Sequence, residues 1–131
     1  MNVIKLEPAF VDERGSIWDF LAEENVQHIG FLVSKTGSIR GKHYHKIQKQ
    51  YTLVMEGRIR IVMKDLSKKY SKIESYELDP MNMLLIPPYH YHSIESLEDS
   101  KCLIFTSKSR HGTGYEEDTF RIDNIESFEL D

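Results

Sequence analysis

Turn-forming residues cut this chain into runs too short for a stable helix but suited to β-strands. Pro8, Asp12-Glu13-Arg14-Gly15, Thr36-Gly37, Glu56-Gly57 and Asp79-Pro80 are the interruptions. Between them lie Val3 to Leu6, Ser16 to Phe20, Gln27 to Ser34, Tyr51 to Met55, Arg58 to Lys64, Ile73 to Leu78, Met83 to Ile86, His92 to Glu95 and Lys101 to Ser107. In Arg58 to Lys64, Ile59, Ile61 and Met63 alternate with Arg58, Arg60 and Val62, so one face is apolar. Tyr51 to Met55 and Arg58 to Lys64 flank Glu56-Gly57 as a predicted hairpin. Only Asp19 to Asn25 has even a brief helical pattern. Many short strands and almost no helix predict an all-β sandwich or barrel, and 131 residues suffice for a single domain over 1–131.

The chemistry concentrates in two segments. His43 and His45 stand two residues apart in Gly37 to Gly57, so both point to one face of a strand; Gln50 follows. His90 and His92 lie in Pro87-Pro88-Tyr89-His90-Tyr91-His92, which gives the two segments four of the six histidines. In a closed β structure these imidazoles can meet in one cavity, which suits either a metal or proton transfer near neutral pH. The rest of the composition narrows the class. Net charge is −4 with no basic block, which argues against nucleic acid. The lone Cys102 excludes an internal disulfide and a cysteine-based zinc site, and its apolar surroundings read as core. The N-terminal segment has no signal-peptide pattern and no apolar run is long enough to span a membrane, so a cytoplasmic protein is expected.

Gly37-x5-His43-x-His45-x4-Gln50-x6-Gly57 resembles the first cupin motif, with glutamine where metal-binding cupins carry glutamate. Pro87-x-Tyr89-x2-His92-x3-Ser96 resembles the second, with tyrosine for its glycine and serine for its asparagine. The resemblance implies a small cupin-type jelly-roll barrel, the double-stranded β-helix. A narrower likeness covers most of the chain. Asp12 to Ile17, Ser38 to Tyr44, Ile86-Pro87-Pro88 and His92 look like the nucleotide-sugar cupins, which include the dTDP-4-dehydrorhamnose 3,5-epimerases and the dTDP-sugar 3,4-ketoisomerases. Arg40 to Lys46 with Gln50 is closer to the ketoisomerases and their RGxHAHK segment, and Tyr115 to Arg121 is similar to their C-terminal tail. The ketoisomerases have an active-site tyrosine upstream of the first histidine, where this chain has Phe31. The chain also resembles the cupin domain of a capsule-sugar UDP-hexose reductase, which carries RGNHYH, a following glutamate and zinc.

The resemblance implies an isomerase of a nucleotide-linked 4-keto-6-deoxyhexose in surface-polysaccharide synthesis, most like a 3,4-ketoisomerase, with a 3- or 3,5-epimerase as the alternative. A metal-binding or non-catalytic sugar-binding cupin is a further alternative. His43 is the implied base. His45 would shuttle the proton or hold a sugar hydroxyl, and Tyr115 is the implied acid. For His92 two roles stay open: a metal ligand, or a donor to the enolate oxygen. Arg40, three residues before His43, is a candidate for the nucleotide diphosphate. Arg14 is a second, reaching the neighbouring subunit's site in a homodimer as the 3,5-epimerases imply. Gln50 and His90 complete the substrate-binding candidates. The reaction requires no cofactor. His43, His45 and His92 with Gln50 are the ligand set if zinc, nickel or iron binds, although Gln50 offers no charge to offset a dication. The expected partners are a dTDP- or UDP-sugar and a second copy of the chain.

Overall fold

The computed structural model describes residues 3–21, 23–109 and 111–130. Its strands are β1 (Ile4–Lys5), β2 (Phe10–Asp12), β3 (Gly15–Ile17), β4 (His28–Ser34), β5 (Ile39–Tyr44), β6 (Gln50–Glu56), β7 (Ile59–Asp65), β8 (Glu74–Leu78), β9 (Asn82–Ile86), β10 (His90–Ser96), β11 (Ser100–Thr106) and β12 (Phe120–Arg121). A one-turn helix α1 (Gly114–Glu117) and a 3₁₀ turn (Ile125–Ser127) lie near the C-terminus. Two five-stranded antiparallel sheets form, in the orders β1-β9-β6-β11-β4 and β12-β5-β10-β7-β8; β2 and β3 make a separate ribbon. From β5 to β12 the chain crosses between the two sheets at almost every connection, which is the jelly-roll arrangement the short strands predict.

The alternation in β7 is used as expected: Ile59, Ile61 and Met63 face the space between the sheets. There they meet Val54, Leu84, Ile86, Cys102 and Ile104 from the other sheet, all nearly or fully buried. Each such side chain contributes about 1.5–3 kcal/mol when removed from water. Cys102 is core, and burial pushes its thiol up to about 11. The terminal segments cover part of each outer face. Leu6, Phe20, Leu21 and Val26 pack over Leu53, Met83 and Phe105, and Phe128 and Leu130 pack over Tyr44, Leu66 and Tyr91.

Two expectations are corrected. Glu56-Gly57 does not close a hairpin, because β6 and β7 belong to different sheets. The turn is a corner: Gly57 has φ +83°, and the Arg58 carbonyl accepts from Leu97 N at 2.9 Å. The predicted helix over 19–25 is irregular chain in its described residues, since Phe20 and Leu21 are spent covering the sheet. Among the described residues no helix is long and apolar enough to cross a membrane.

Gly37 and Gly57 both hold positive φ, but a Cβ at Gly37 meets nothing within 4 Å while one at Gly57 lies 2.2 Å from the Asp99 carbonyl oxygen. Gly37→Ala should therefore cost about 1 kcal/mol, the steric penalty of the backbone alone. Gly57→Ala should cost clearly more, in the range of about 1–3 kcal/mol or above. Urea midpoints at unchanged m-value check the ordering; equal losses contradict it.

Candidate active site

β5 places His43 on its inward side with His45 just past the strand's end, both rings buried, and pairing across the sheet sets His43 opposite His92 of β10 and opposite Arg121 of β12. The register then slips. Gly41 pairs with Ser93 and Arg40 with Ile94, which leaves Lys42 without a partner on β10, although its carbonyl accepts from Ile122 N on the other side at 2.9 Å. This is a β-bulge with two successive positive φ values, +89° at Gly41 and +58° at Lys42. In an unbroken strand, residues 40 and 43 would face opposite sides. The bulge brings Arg40 to the face of His43. Glycine is needed at 41, because a Cβ there would lie 2.8 Å from the His92 carbonyl oxygen.

The result is a cavity of about 410 Å³ whose lining includes His43, Gln50, His92, Tyr115, Arg40 and Arg121. The two histidines and Gln50 are buried, while the arginines are exposed, so imidazoles form the interior and guanidinium groups the rim. The rings of His43 and His92 lie 4.7 Å apart and nearly perpendicular; His43 and His45 lie 4.8 Å apart. Tyr115 comes from α1, with its ring 6.0 Å from His43 and 6.2 Å from His45.

Hydrogen bonds set the tautomers. His45 Nδ1 is 2.6 Å from the Asp118 carbonyl oxygen, and His92 Nδ1 is 3.1 Å from the His90 carbonyl oxygen. A carbonyl only accepts, so each Nδ1 carries the hydrogen and each Nε2 of a neutral ring carries a lone pair. His92 is kept well below the ordinary imidazole range, first by burial and then by its two histidine neighbours. A neutral His92 with its hydrogen on Nδ1 presents the Nε2 lone pair to the cavity, so there it accepts a hydrogen bond rather than donating one. This changes the expected oxyanion-donor role for His92.

Gln50 lies in a ladder along β6. Gln48 Nε2 donates to Gln50 Oε1 and Gln50 Nε2 to Thr52 Oγ1, each at 3.2 Å. Arg40 is braced by bonds to Ser34 Oγ at 2.8 Å and the Val33 carbonyl at 3.1 Å. Its fork of five N–H groups can hold an anion as well. Arg121 pairs with both oxygens of Glu116 and holds that carboxyl below its usual range.

The cluster also fits a cation, since donor atoms of His43, His45 and His92 lie within 4.8 Å of one another. Two of these rings have the backbone partner that orients a metal-bound imidazole. Gln50 contributes no charge, and its oxygen already accepts from Gln48.

His43, His45, His92, Gln50, Arg40 and Tyr115 thus come together, while two candidates do not. His90 lies one step along the strand, opposite Asp65, and lines a different cavity of about 290 Å³ with Asp65, Lys68 and Glu74. Its Nδ1 bonds the Pro88 carbonyl, so its link to the site runs through its own backbone oxygen, a correction to its expected substrate contact. Arg14 lies on the β2–β3 ribbon, 81% exposed and bonded to Asp12, outside this cavity. Phe31 faces outward on β4, and the neighbouring Leu32 lines the cavity instead. Sequence reasoning missed Gln48, Asp118 and Arg121. Gln48 shares strand parity with Gln50, which was a usable signal; Asp118 was hidden in the acidic run Glu116-Glu117-Asp118.

A family model described as polysaccharide biosynthesis C-terminal domain matches residues 10–120. Among solved structures the chain is similar to a dTDP-4-dehydrorhamnose 3,5-epimerase from Sulfolobus tokodaii, at 28% identity over 98% of this chain and 79% of that one, TM-score 0.76. It is similar in fold to a 3,4-ketoisomerase from Helicobacter canadensis, at 21% identity over 92% and 90%, TM-score 0.76. A 3,4-ketoisomerase from Thermoanaerobacterium thermosaccharolyticum in complex with TDP aligns at 19% identity over 95% and 88%, TM-score 0.73. No curated protein matches.

The neutral His92 has a consequence for stability. In the unfolded chain its imidazole titrates near 6.5, whereas in the fold it takes up a proton only at much lower pH. Above that value both states are neutral and the group has no effect. As pH falls through 6.5 the unfolded chain binds the proton first, so stability drops. The urea midpoint should fall between about pH 7 and pH 5, and His92→Gln should flatten that fall. An unchanged slope in the variant would contradict the assignment.

Proposed function

The chain belongs to the polysaccharide biosynthesis C-terminal domain family, and we propose that it is a nucleotide-sugar isomerase, a 3,4-ketoisomerase of a dTDP-linked 4-keto-6-deoxyhexose. One observation carries this reading: buried imidazoles and a tyrosine share one cavity of about 410 Å³ with two guanidinium groups on its rim. That volume is in the range of small-molecule sites. Paired N–H donors on Arg40 and Arg121 suit a diphosphate, and TDP is the nucleotide named with one of the similar structures.

Moving a ketone from C4 to C3 needs a base for the C3 proton, an acceptor for the C3 hydroxyl proton and a donor for the C4 oxygen. His43 takes the C3 proton, and the C–H electron pair forms the C3=C4 enediol system. Tyr115 supplies a hydrogen bond to the developing charge on the C4 oxygen. His92, neutral with its lone pair on Nε2, accepts a hydrogen bond from the C3 hydroxyl, whose proton ends on the C4 oxygen as the new carbonyl forms at C3. Protonation at C4 by the imidazolium of His43 completes the exchange, with no atom gained or lost. His45 supports His43 from behind, and Gln50 shapes the wall between the rings. These residues supply base, acceptor and acid between them, so the proposed reaction needs no metal or organic cofactor. A divalent ion held by His43, His45 and His92 would supply Lewis-acid polarisation of the ketone.

A 3- or 3,5-epimerase is the second reading. It is favoured by the 28% identity to a 3,5-epimerase and by Tyr115 approaching His43 from a different element, as reprotonation of the opposite face requires. The proposed working unit is a homodimer, since Arg14 can assist a site only from another copy.

The test is proton NMR of chelator-treated protein with dTDP-4-keto-6-deoxyglucose in deuterated buffer. The expected result is a 3-keto sugar that carries solvent deuterium, with the rate reduced about 10²-fold or more in His43→Ala. Exchange at C3 or C5 without carbonyl migration favours the epimerase. No exchange overturns metal-free proton transfer on this substrate.

A further inference from the structure

We propose that Asp118 is a positioning residue that fixes the tautomer of His45 and ties it to Tyr115. Asp118 caps α1 and is 3% exposed. Its carboxylate accepts from three successive backbone N–H groups. Oδ1 takes Lys46 N at 2.9 Å and Ile47 N at 3.1 Å, and Oδ2 takes Gln48 N at 2.8 Å. A carboxylate that is acceptor-only at both oxygens suits a row of donors. The same residue's main-chain oxygen accepts the His45 Nδ1 hydrogen at 2.6 Å. Three residues earlier, its helix presents Tyr115, whose carbonyl accepts from Asp118 N at 3.3 Å.

One buried side chain therefore clamps the loop after β5 to the helix that bears Tyr115. It holds the Gln48 backbone, and with it the start of the Gln48–Gln50–Thr52 ladder, at the same time. With the hydrogen fixed on Nδ1 of His45, its Nε2 side faces the cluster of three closely packed rings as an acceptor. The catalytic part of this inference rests on the proposed isomerase; the tautomer part does not.

Long-range proton–nitrogen NMR of the imidazoles reads the tautomer without substrate. Wild-type protein should show His45 with hydrogen on Nδ1, and the amides of Lys46, Ile47 and Gln48 should exchange slowly. Asp118→Asn keeps the main-chain carbonyl but puts an NH₂ against a backbone N–H, which should push the 46–48 loop away from the helix end, lengthen the His45 Nδ1 to Asp118 carbonyl bond and make His45 a mixture of tautomers. In deuterium-exchange assays kcat should fall about tenfold or more, with KM changed much less. Leu78→Val, a core change away from the site, serves as the control: it should lower stability and leave the tautomer intact. Hydrogen on Nε2 in wild type, fast exchange at 46–48, or an unaltered tautomer in Asp118→Asn overturns the proposal. The wild-type measurements decide it even if the variant does not fold. Loss of the isomerase reading alone would remove only the kcat comparison.

Discussion

A one-residue bulge in β5 governs the chemistry of this molecule. Strand geometry alone would put Arg40 and His43 on opposite faces, one in solvent and one in the core. Skipping Lys42 in the pairing with β10 turns Arg40 toward Ile94 and the cavity that His43 also lines. The bulge depends on Gly41, whose backbone passes too close to the His92 carbonyl for any side chain. That carbonyl belongs to the residue facing His43. The same contact therefore sets the spacing of the histidine pair and the direction of the arginine.

Around this strand the chain returns twice to complete the site. β10 brings His92, held neutral by burial and oriented by the His90 backbone. The C-terminal segment then adds Tyr115, Asp118 and Arg121 before its last apolar residues cover the outer face of the sheet. The tail is thus both a lid on a hydrophobic cluster and the source of half the polar groups near the rings. Polar contacts made by Asp118 and apolar contacts made by Phe128 and Leu130 hold it from two sides. Buried imidazoles side by side are costly unless each has a partner, and the backbone carbonyls of Asp118 and His90 meet that need without adding charge.

Much of this could be read from the residues. Period-two alternation in β7 and the His43–His45 and His92 segments located the inner faces, because a strand has one simple rule for direction. The resemblance to nucleotide-sugar cupins led to Tyr115, and the position of Arg40 three residues before His43 marked it as a candidate for phosphate. What failed were features that depend on pairing between distant strands. Glu56-Gly57 carries the signature of a hairpin turn and yet joins two sheets, since nothing local distinguishes a corner from a hairpin. His90 shares parity with His92 but sits beyond the end of the cavity, which parity does not reveal. Asp118 gave no signal, because its acceptors matter only where three backbone donors converge on it.

The most direct test is a crystal structure of the protein with thymidine diphosphate bound. The diphosphate should lie on the rim of the cavity, with phosphate oxygens about 2.7–2.9 Å from guanidinium nitrogens of Arg40 and the terminal phosphate directed toward His43. Nucleotide in the Asp65–His90 cavity, or on the outer face of β4, would contradict the site.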